Sequence, residues 1–280
     1  MDAYTDFAAV YDTFMDETPY DVWGDFVSGL IEEYGVSKPY PKGERDGNAG
    51  SGIENSEEAL EEERNLVVEL GCGTGSFTQV LKKKGYDIMG IDMSPEMLDL
   101  ARKKSAESGL DIMYLEQDMR ELDLYCTAGT IVSVCDSINY LLEDEDVINT
   151  FKLVNNFLFP KGVFIFDFNT LHKYKDVIGD ATIAENREDC SFIWDNYYHE
   201  EDHINEYDLT IYARVSDDHE DEIFRRSIET HFQRGYTLEE MKTFVEAAGL
   251  KFITAIDADT HECPTDGSER IYVVARESGK

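Results

Sequence analysis

The sequence predicts an α/β fold: an open, mostly parallel sheet with helices on both faces, carrying a small antiparallel β insertion toward its far end. Three observations carry that expectation. After Arg64, short apolar runs alternate with helical stretches; the turn from Gly71 to Gly75 is rich in glycine; and between about 182 and 234 the apolar period changes from helical to alternating.

Taken in order, Phe7, Val10, Tyr11 and Phe14 fall at helical spacing, and Val22, Phe26, Leu30 and Ile31 repeat the pattern after Pro19. Residues 1–37 therefore read as two short amphipathic helices. Residues 38–63 change character. Pro39, Pro41, several glycines and then Glu57, Glu58, Glu61, Glu62 and Glu63 leave little apolar surface to bury, so a flexible acidic linker is expected, with room for a fragment of helix at its end.

The core should span 64–180, with strands near 66–70, 86–91, 112–116, 130–134 and 163–168. A helix is expected over 76–84 and another over 144–158. Between them Ser94 is placed to cap a helix whose first turn holds Pro95, supplying a hydroxyl to an orphan amide and a preset backbone angle. In 181–235 the period becomes alternating, as in Phe192, Trp194, Asn196 and Tyr198 and again in Tyr207, Leu209, Ile211, Ala213 and Val215. Polar turns at 199–203 and 216–221 separate these strands, which predicts an antiparallel cap inserted after the fifth strand. Residues 236–280 return to the first pattern: Thr237 and Glu240 form a capping box, Gly249 ends the helix, and strands near 252–256 and 271–275 bring the main sheet to seven.

Charge narrows the function classes. With 25 Lys plus Arg against 60 Asp plus Glu, the formal charge of -35 opposes nucleic-acid phosphates and anionic membrane surfaces. The basic groups at 82–84 and 102–104 read as solvated helix faces. The five cysteines are scattered, odd in number and never spaced Cys-x-x-Cys, which suits a reducing cytoplasm. The start of the chain lacks a basic region followed by an apolar stretch, and no apolar run approaches the ~20 residues that span a bilayer. The expectation is a cytoplasmic protein, monomer or homodimer, with a small-molecule partner. The histidines show no zinc spacing, and no metal is expected.

The strongest chemical signal is Val67-Val68-Glu69-Leu70-Gly71-Cys72-Gly73-Thr74-Gly75, a buried strand running into a glycine turn and then a helix. Gly71 and Gly73 allow close backbone approach to a ligand, and the helix beyond Gly75 offers unpaired amides at its positive end. Asp92 closes the second strand, where a nucleotide-like ligand would present its ribose hydroxyls. A glycine turn alone is weak, because an ordinary strand-to-helix connection needs the same residues. Acidic Glu69 and the short Gly-x-Gly-x-Gly spacing differ from the Gly-x-Gly-x-x-Gly of NAD sites and lack the Gly-Lys-Ser/Thr of triphosphate loops.

These residues resemble motif I of class I S-adenosylmethionine (SAM) dependent methyltransferases, a Rossmann-like family. The resemblance covers 66–168 well, the last strands moderately, and the insertion and N-terminus loosely; it is closest to small-molecule members with an antiparallel cap, such as sugar N-methyltransferases. It implies SAM as cofactor and S-adenosylhomocysteine as product. It implies that Glu69, Gly71, Gly73 and Gly75 line the methionine side, Asp92 holds the ribose and Met93 flanks the adenine. Asp118 with Met119 resembles the segment that recognises the adenine edge, against the alternative of a solvated carboxylate after a strand. Cys135-Asp136-Ser137-Ile138-Asn139-Tyr140 would lie beneath the methyl group, making Asp136, Asn139 and Tyr140 candidates for the active site and Cys135 a small neighbour of the cofactor. Asn139 and Tyr140 have the competing reading of capping and packing the next helix. Tyr11, Tyr20 and Trp23 could close the pocket from the N-terminal helices, although aromatics at helical spacing are more often core.

In the cap, one face of the strand at 229–234 carries Glu229, His231 and Gln233, and His231 could accept the acceptor's proton. A solvated face is an equal reading for Glu229 and Gln233. The activity implied is in-line methyl transfer to N or O of a small molecule. Three competitors stay open. A catalytically silent SAM-binding protein is one; a protein or RNA methyltransferase is another, its RNA form opposed by charge and by the lack of Asn-Pro-Pro-Tyr. A dehydrogenase is the third, disfavoured by the glycine spacing.

Overall fold

A computed structural model describes residues 8–40, 56–215 and 223–280. Phe7, most of the expected linker and the turn expected at 216–221 lie outside the described residues.

Five strands build the parallel part of a seven-stranded sheet: β1 (Leu66–Leu70), β2 (Asp87–Asp92), β3 (Met113–Glu116), β4 (Ala128–Ser133) and β5 (Leu158–Asn169). Four more, β6 (Thr182–Asn186), β7 (Cys190–His199), β8 (Ile204–Arg214) and β9 (Phe224–Arg234), form a separate antiparallel meander. The chain then returns with β10 (Lys251–Asp257) and β11 (Arg270–Arg276), the latter antiparallel to both β5 and β10. The main sheet runs β10-β11-β5-β4-β1-β2-β3, so strand order reverses between β1 and β4. Connections leaving those two strands diverge, which opens a crevice beyond their carboxyl ends.

Helices cover both faces. On one side α6 (Asp144–Phe157) and α7 (Leu238–Ala247) bury Phe151, Val154, Met241 and Phe244 against Phe164, Phe166 and Phe168 of β5. On the other, α2 (Tyr20–Tyr34) and α4 (Ser76–Lys83) bury Val27, Ile31, Phe77 and Leu81 against Val67, Val132, Val163 and Ile165. The remaining helices are α1 (Ala8–Phe14), α3 (Ser56–Asn65) and α5 (Pro95–Glu107). Local chemistry sets the ends as expected. The Ser94 hydroxyl accepts the Met97 amide at 3.3 Å with Pro95 in the first turn, and Thr237 and Glu240 complete a reciprocal capping box on α7.

Three elements differ from the sequence reading. The end of the expected linker is a ten-residue helix, α3. Its run of Glu, Ala and Leu has high helix propensity, Glu57 and Glu58 suit the positive helix start, and Glu63 accepts the amide (3.2 Å) and hydroxyl of Thr127, which ties the helix to the entry of β4. Strand β5 starts at Leu158 rather than near 163, directly after α6. Strand β6, not singled out in the sequence, pairs with β7 at the cap's edge. Lys104 and Lys84 are not solvated helix faces: Lys84 pairs with Asp25, and Lys104 with Asp12.

Candidate functional site

The loop after β1 is built on backbone that only glycine adopts readily. Gly71, Gly73 and Gly75 have φ of 69, 53 and 72°. A Cβ at Gly75 would come within 2.4 Å of the Tyr114 hydroxyl, whereas one at Gly73 would meet nothing within 4 Å. Gly73 thus presents bare backbone to open space at the crevice. Asp92 reaches across from β2, its Oδ2 accepting the Gly73 amide at 2.7 Å and its Oδ1 the Ser94 amide at 2.9 Å. Burial raises the Asp92 pKa, with the Ser94 and Gly73 amides acting against it.

Glu69 is 2% exposed, and its carboxylate accepts a hydrogen bond from the Thr78 hydroxyl, its one side-chain partner among the described residues. Burial pushes its pKa up to about 8. Two carboxylates thus converge on one glycine loop with no ion-pair partner among the described residues. Such a pair of acceptors fits a ligand with an ammonium at one end and vicinal hydroxyls at the other.

The turn after β4 is the second wall. Cys135 and Asp136 are consecutive non-glycine residues with φ of 61 and 54°. A fully buried carboxylate, Asp167, holds both: Oδ2 accepts the Cys135 amide at 3.0 Å and Oδ1 the Asp136 amide at 2.8 Å. Asp167 alternates with the phenylalanines of β5, so it lies on the opposite face of the strand and points under this turn. Burial raises its pKa, opposed mainly by Arg270, whose Nη1 is 3.8 Å away. Arg270 Nη2 also donates to Asp136 Oδ1 at 2.9 Å, and Gln233 Nε2 to Asp136 Oδ2 at 2.6 Å. The Cys135 thiol is held well above its ordinary pKa by burial and then by Asp167, so it stays protonated.

Asn139 is fully buried, and its side chain accepts the Asn169 amide at 2.9 Å and donates to the Asn169 carbonyl at 2.9 Å and the Arg234 carbonyl at 2.7 Å. It fastens the turn to β5 and β9 rather than to the helix that follows. Tyr140 instead faces the cap: its hydroxyl lies 2.8 Å from that of Tyr207 and 3.4 Å from His231 Nδ1. His231 is 3% exposed, stacks on Tyr207 at 4.9 Å and places Nε2 3.5 Å from Glu229. The reading of Glu229 and Gln233 as a solvated face is corrected: both are buried, because the cap turns this face toward the crevice.

From the N-terminal side, Tyr11 and Tyr20 hydrogen-bond to each other in the neighbourhood of Cys135, and burial raises both phenol pKa values. Trp23 packs edge-on to Tyr20 at 5.7 Å and has the Arg270 guanidinium over its ring at 5.2 Å. Helix α1 is tied down by Asp12, which accepts from Lys104 at 2.6 Å and from the Thr74 hydroxyl at 2.6 Å; Lys104 also donates to Ser76 at 2.7 Å. Both partners are partly exposed, so about 1 kcal/mol is at stake. Lys104→Ala should speed hydrogen exchange of the α1 amides by about fivefold, with a much smaller change in global unfolding. Unchanged α1 protection would show that the pair does not hold the helix.

The remaining candidates lie at the far end of the crevice. Met93 is 62% exposed after β2. Met119 Cε would be 3.5 Å from a Cβ at Gly71, which puts this side chain beside the loop. The Asp118 carboxylate is engaged by Arg120 through Nε at 3.0 Å and by the Arg120 amide at 2.9 Å, contacts that lower its pKa. Sequence reasoning missed Asp167, Arg270, Thr78, Asp12 and Tyr207 as parts of this assembly. The available signal for Asp167 was an acid interrupting Phe164, Phe166 and Phe168 in a strand otherwise apolar enough to be central.

Among the described residues no group of three or more His, Cys, Asp or Glu could hold a metal ion, and no helix is long and apolar enough to cross a membrane.

Comparison with known proteins bears directly on this crevice. Residues 67–162 match the family model described as a methyltransferase domain. The putative methyltransferase YqeM of Bacillus subtilis (strain 168) is 32% identical over 278 residues, covering 98% of this chain and 97% of that one. A crystal structure of an S-adenosylmethionine-dependent methyltransferase from Clostridium acetobutylicum ATCC 824 superposes with a TM-score of 0.77 at 24% identity, covering 99% of this chain and 100% of that one. The SAM-bound structure of CalS10, an amino pentose methyltransferase from Micromonospora echinaspora, has a TM-score of 0.66 at 15% identity over 99% of each chain. With a glycine loop after β1, an acid closing β2, the seven-stranded order and a relative alike along nearly its whole length, the chain belongs to the class I SAM-dependent methyltransferases.

Proposed function

We propose that the protein transfers the methyl group of SAM to a nitrogen or oxygen of a small molecule held between the Cys135–Asp136 turn, Tyr140 and the cap. The observation that carries this reading is the closure of the cap onto the turn: Gln233 donates to Asp136 at 2.6 Å, and Tyr207 meets Tyr140 at 2.8 Å. These contacts bring polar and aromatic groups of the cap against the turn, which favours a small acceptor over a folded macromolecule. The sugar substrate named for CalS10 fits the same reading.

In this reading the Gly71–Gly75 loop and Glu69 would hold the amino-acid end of SAM, and Asp92 its ribose hydroxyls. Met93 and Met119 would flank the adenine, with Asp118 at its edge. Tyr11 and Tyr20 would close the pocket over Cys135. SAM supplies an electrophilic methyl carbon. The chain's work is to exclude water and align the acceptor atom with that carbon, the contribution of positioning to an in-line displacement. The Asp167-held turn fixes the floor, Asp136 and Tyr140 orient the acceptor, and His231 is placed beside Tyr140 to receive a proton when the acceptor is an amine.

The test is incubation with methyl-labelled SAM and a panel of small amines, alcohols and carboxylic acids, followed by mass spectrometry. Label is expected in a small acceptor. Label found only in added protein or RNA would overturn the reading.

A further inference from the structure

Beside the turn lies a polar cleft walled by Trp23 and Tyr272, floored by Lys173 and Arg270, and rimmed by Asp259 and Glu269. These residues come from α2, from the connection after β5, from the end of β10 and from the start of β11, so the cleft opens at the same sheet edge as the crevice. Arg270 joins the two, because the guanidinium that floors the cleft is bonded to Asp136 at 2.9 Å.

The two cations differ in one respect. Arg270 is already neutralised by Asp136 and by Asp167 at 2.9 and 3.8 Å. Lys173 is not: its ammonium donates to the neutral Asn169 Oδ1 at 3.0 Å, and among the described residues no carboxylate lies within ion-pair distance of it. Burial lowers its pKa, followed by the repulsion of Arg270, while the more distant Asp136, Glu269 and Asp167 act against both. Asp259 is exposed, where water and salt screen its charge, while Lys173 is set deeper. A half-buried ammonium whose one hydrogen bond goes to a neutral amide oxygen, with its carboxylates beyond ion-pair distance, gains from an anionic oxygen in direct contact through charge-assisted hydrogen bonds. A cationic head group would meet Lys173 and Arg270 at the floor, and only the rim carboxylates Glu269 and Asp259 would favour it.

We propose that this cleft seats an acceptor that carries a carboxylate, and that the Lys173 ammonium takes it while Arg270 fixes its distance from Asp136. The inference rests on the crevice being the methyl-transfer site and names the class of acceptor for it.

Trp23 and Trp194 are the two tryptophans of the chain, so in a Trp194→Phe background Trp23 alone reports on the cleft. The full-length protein, with and without S-adenosylhomocysteine, is titrated with benzoate against benzamide and with glucuronate against methyl glucoside, reading Trp23 emission. Saturable quenching is expected from the carboxylates, about tenfold tighter than from their neutral partners. Lys173→Met should erase that preference and Lys173→Arg should keep it. Equal or tighter binding of the neutral partners, no saturable response to either carboxylate, or an undiminished preference in Lys173→Met would each overturn the proposal. Loss of S-adenosylhomocysteine binding would count against the cofactor pocket instead, because the carboxylate comparison on cofactor-free protein decides for Lys173 independently.

Discussion

Asp167→Ala is expected to abolish most methyl transfer while leaving a folded but less stable protein. Two consecutive non-glycine residues in the left-handed region cost roughly 1–3 kcal/mol each, and they persist only where the surroundings over-determine them. Here the surroundings are one carboxylate that accepts both the Cys135 and the Asp136 amides. Its removal leaves two buried amides without an acceptor and takes one of two counter-charges from Arg270. Breaking a buried pair in this way costs about 3–5 kcal/mol, which for a chain of this size lowers the thermal midpoint by on the order of 10 °C. The turn would relax to ordinary backbone angles, moving Asp136 and the floor of the crevice. A misplacement of about 1 Å is enough to lower turnover by about 100-fold. Asp167→Asn keeps the shape and one acceptor, so its midpoint should fall between the two while turnover stays low. Turnover in Asp167→Ala within about threefold of the wild type would remove Asp167 from the positioning role.

The second large effect concerns Glu69 and has opposite signs for stability and binding. Its carboxyl titrates near pH 8 in the folded, cofactor-free protein against an ordinary 4.5, because burial disfavours the charge. Between those values the folded chain holds a proton that the unfolded chain has released. Stability therefore falls as pH rises through this window and levels off above about 8. A cationic ligand end requires the carboxylate, so affinity for S-adenosylhomocysteine should rise with pH up to that point, with a proton released on binding. Glu69→Gln should remove both dependences. At pH near 8 it should raise the midpoint of the cofactor-free protein and weaken binding by about 10- to 100-fold, the loss of a charge-assisted contact. Calorimetry in buffers of different ionisation enthalpy measures the proton release, and thermal scans across pH measure the rest. A variant less stable than the wild type at that pH, with unchanged affinity, would contradict the assignment.

Much of the architecture was legible because the signals were local. Ser94 with Pro95 and Thr237 with Glu240 mark helix starts by chemistry contained within a few residues, and the structure places both caps where they were expected. The glycine loop is equally local, since its positive φ values demand that residue type. What stayed hidden depends on which face of an element meets which neighbour. Lys104 is an ordinary helix lysine until α1 brings Asp12 within 2.6 Å. Glu229 and Gln233 read as a wet face because alternation in a cap strand does not say which side turns inward. Asp167 and Arg270 are 103 positions apart in sequence order by their numbering and meet only because β11 inserts antiparallel beside β5. The acidic helix α3 was obscured for another reason: a run poor in apolar residues signals disorder by composition, yet its propensity and one tie through Glu63 suffice once β4 is beside it.

The central claim is that Glu69, the glycine loop and Asp92 form one pocket for SAM. Isothermal calorimetry of purified protein with SAM and with S-adenosylhomocysteine tests it most directly, with Asp92→Ala as the comparison. Saturable heat at one site is expected for both ligands, weakened by about 100-fold in Asp92→Ala, where a carboxylate that orders the Gly73 amide is gone. No heat for either ligand, or an unchanged affinity in the variant, would contradict the account.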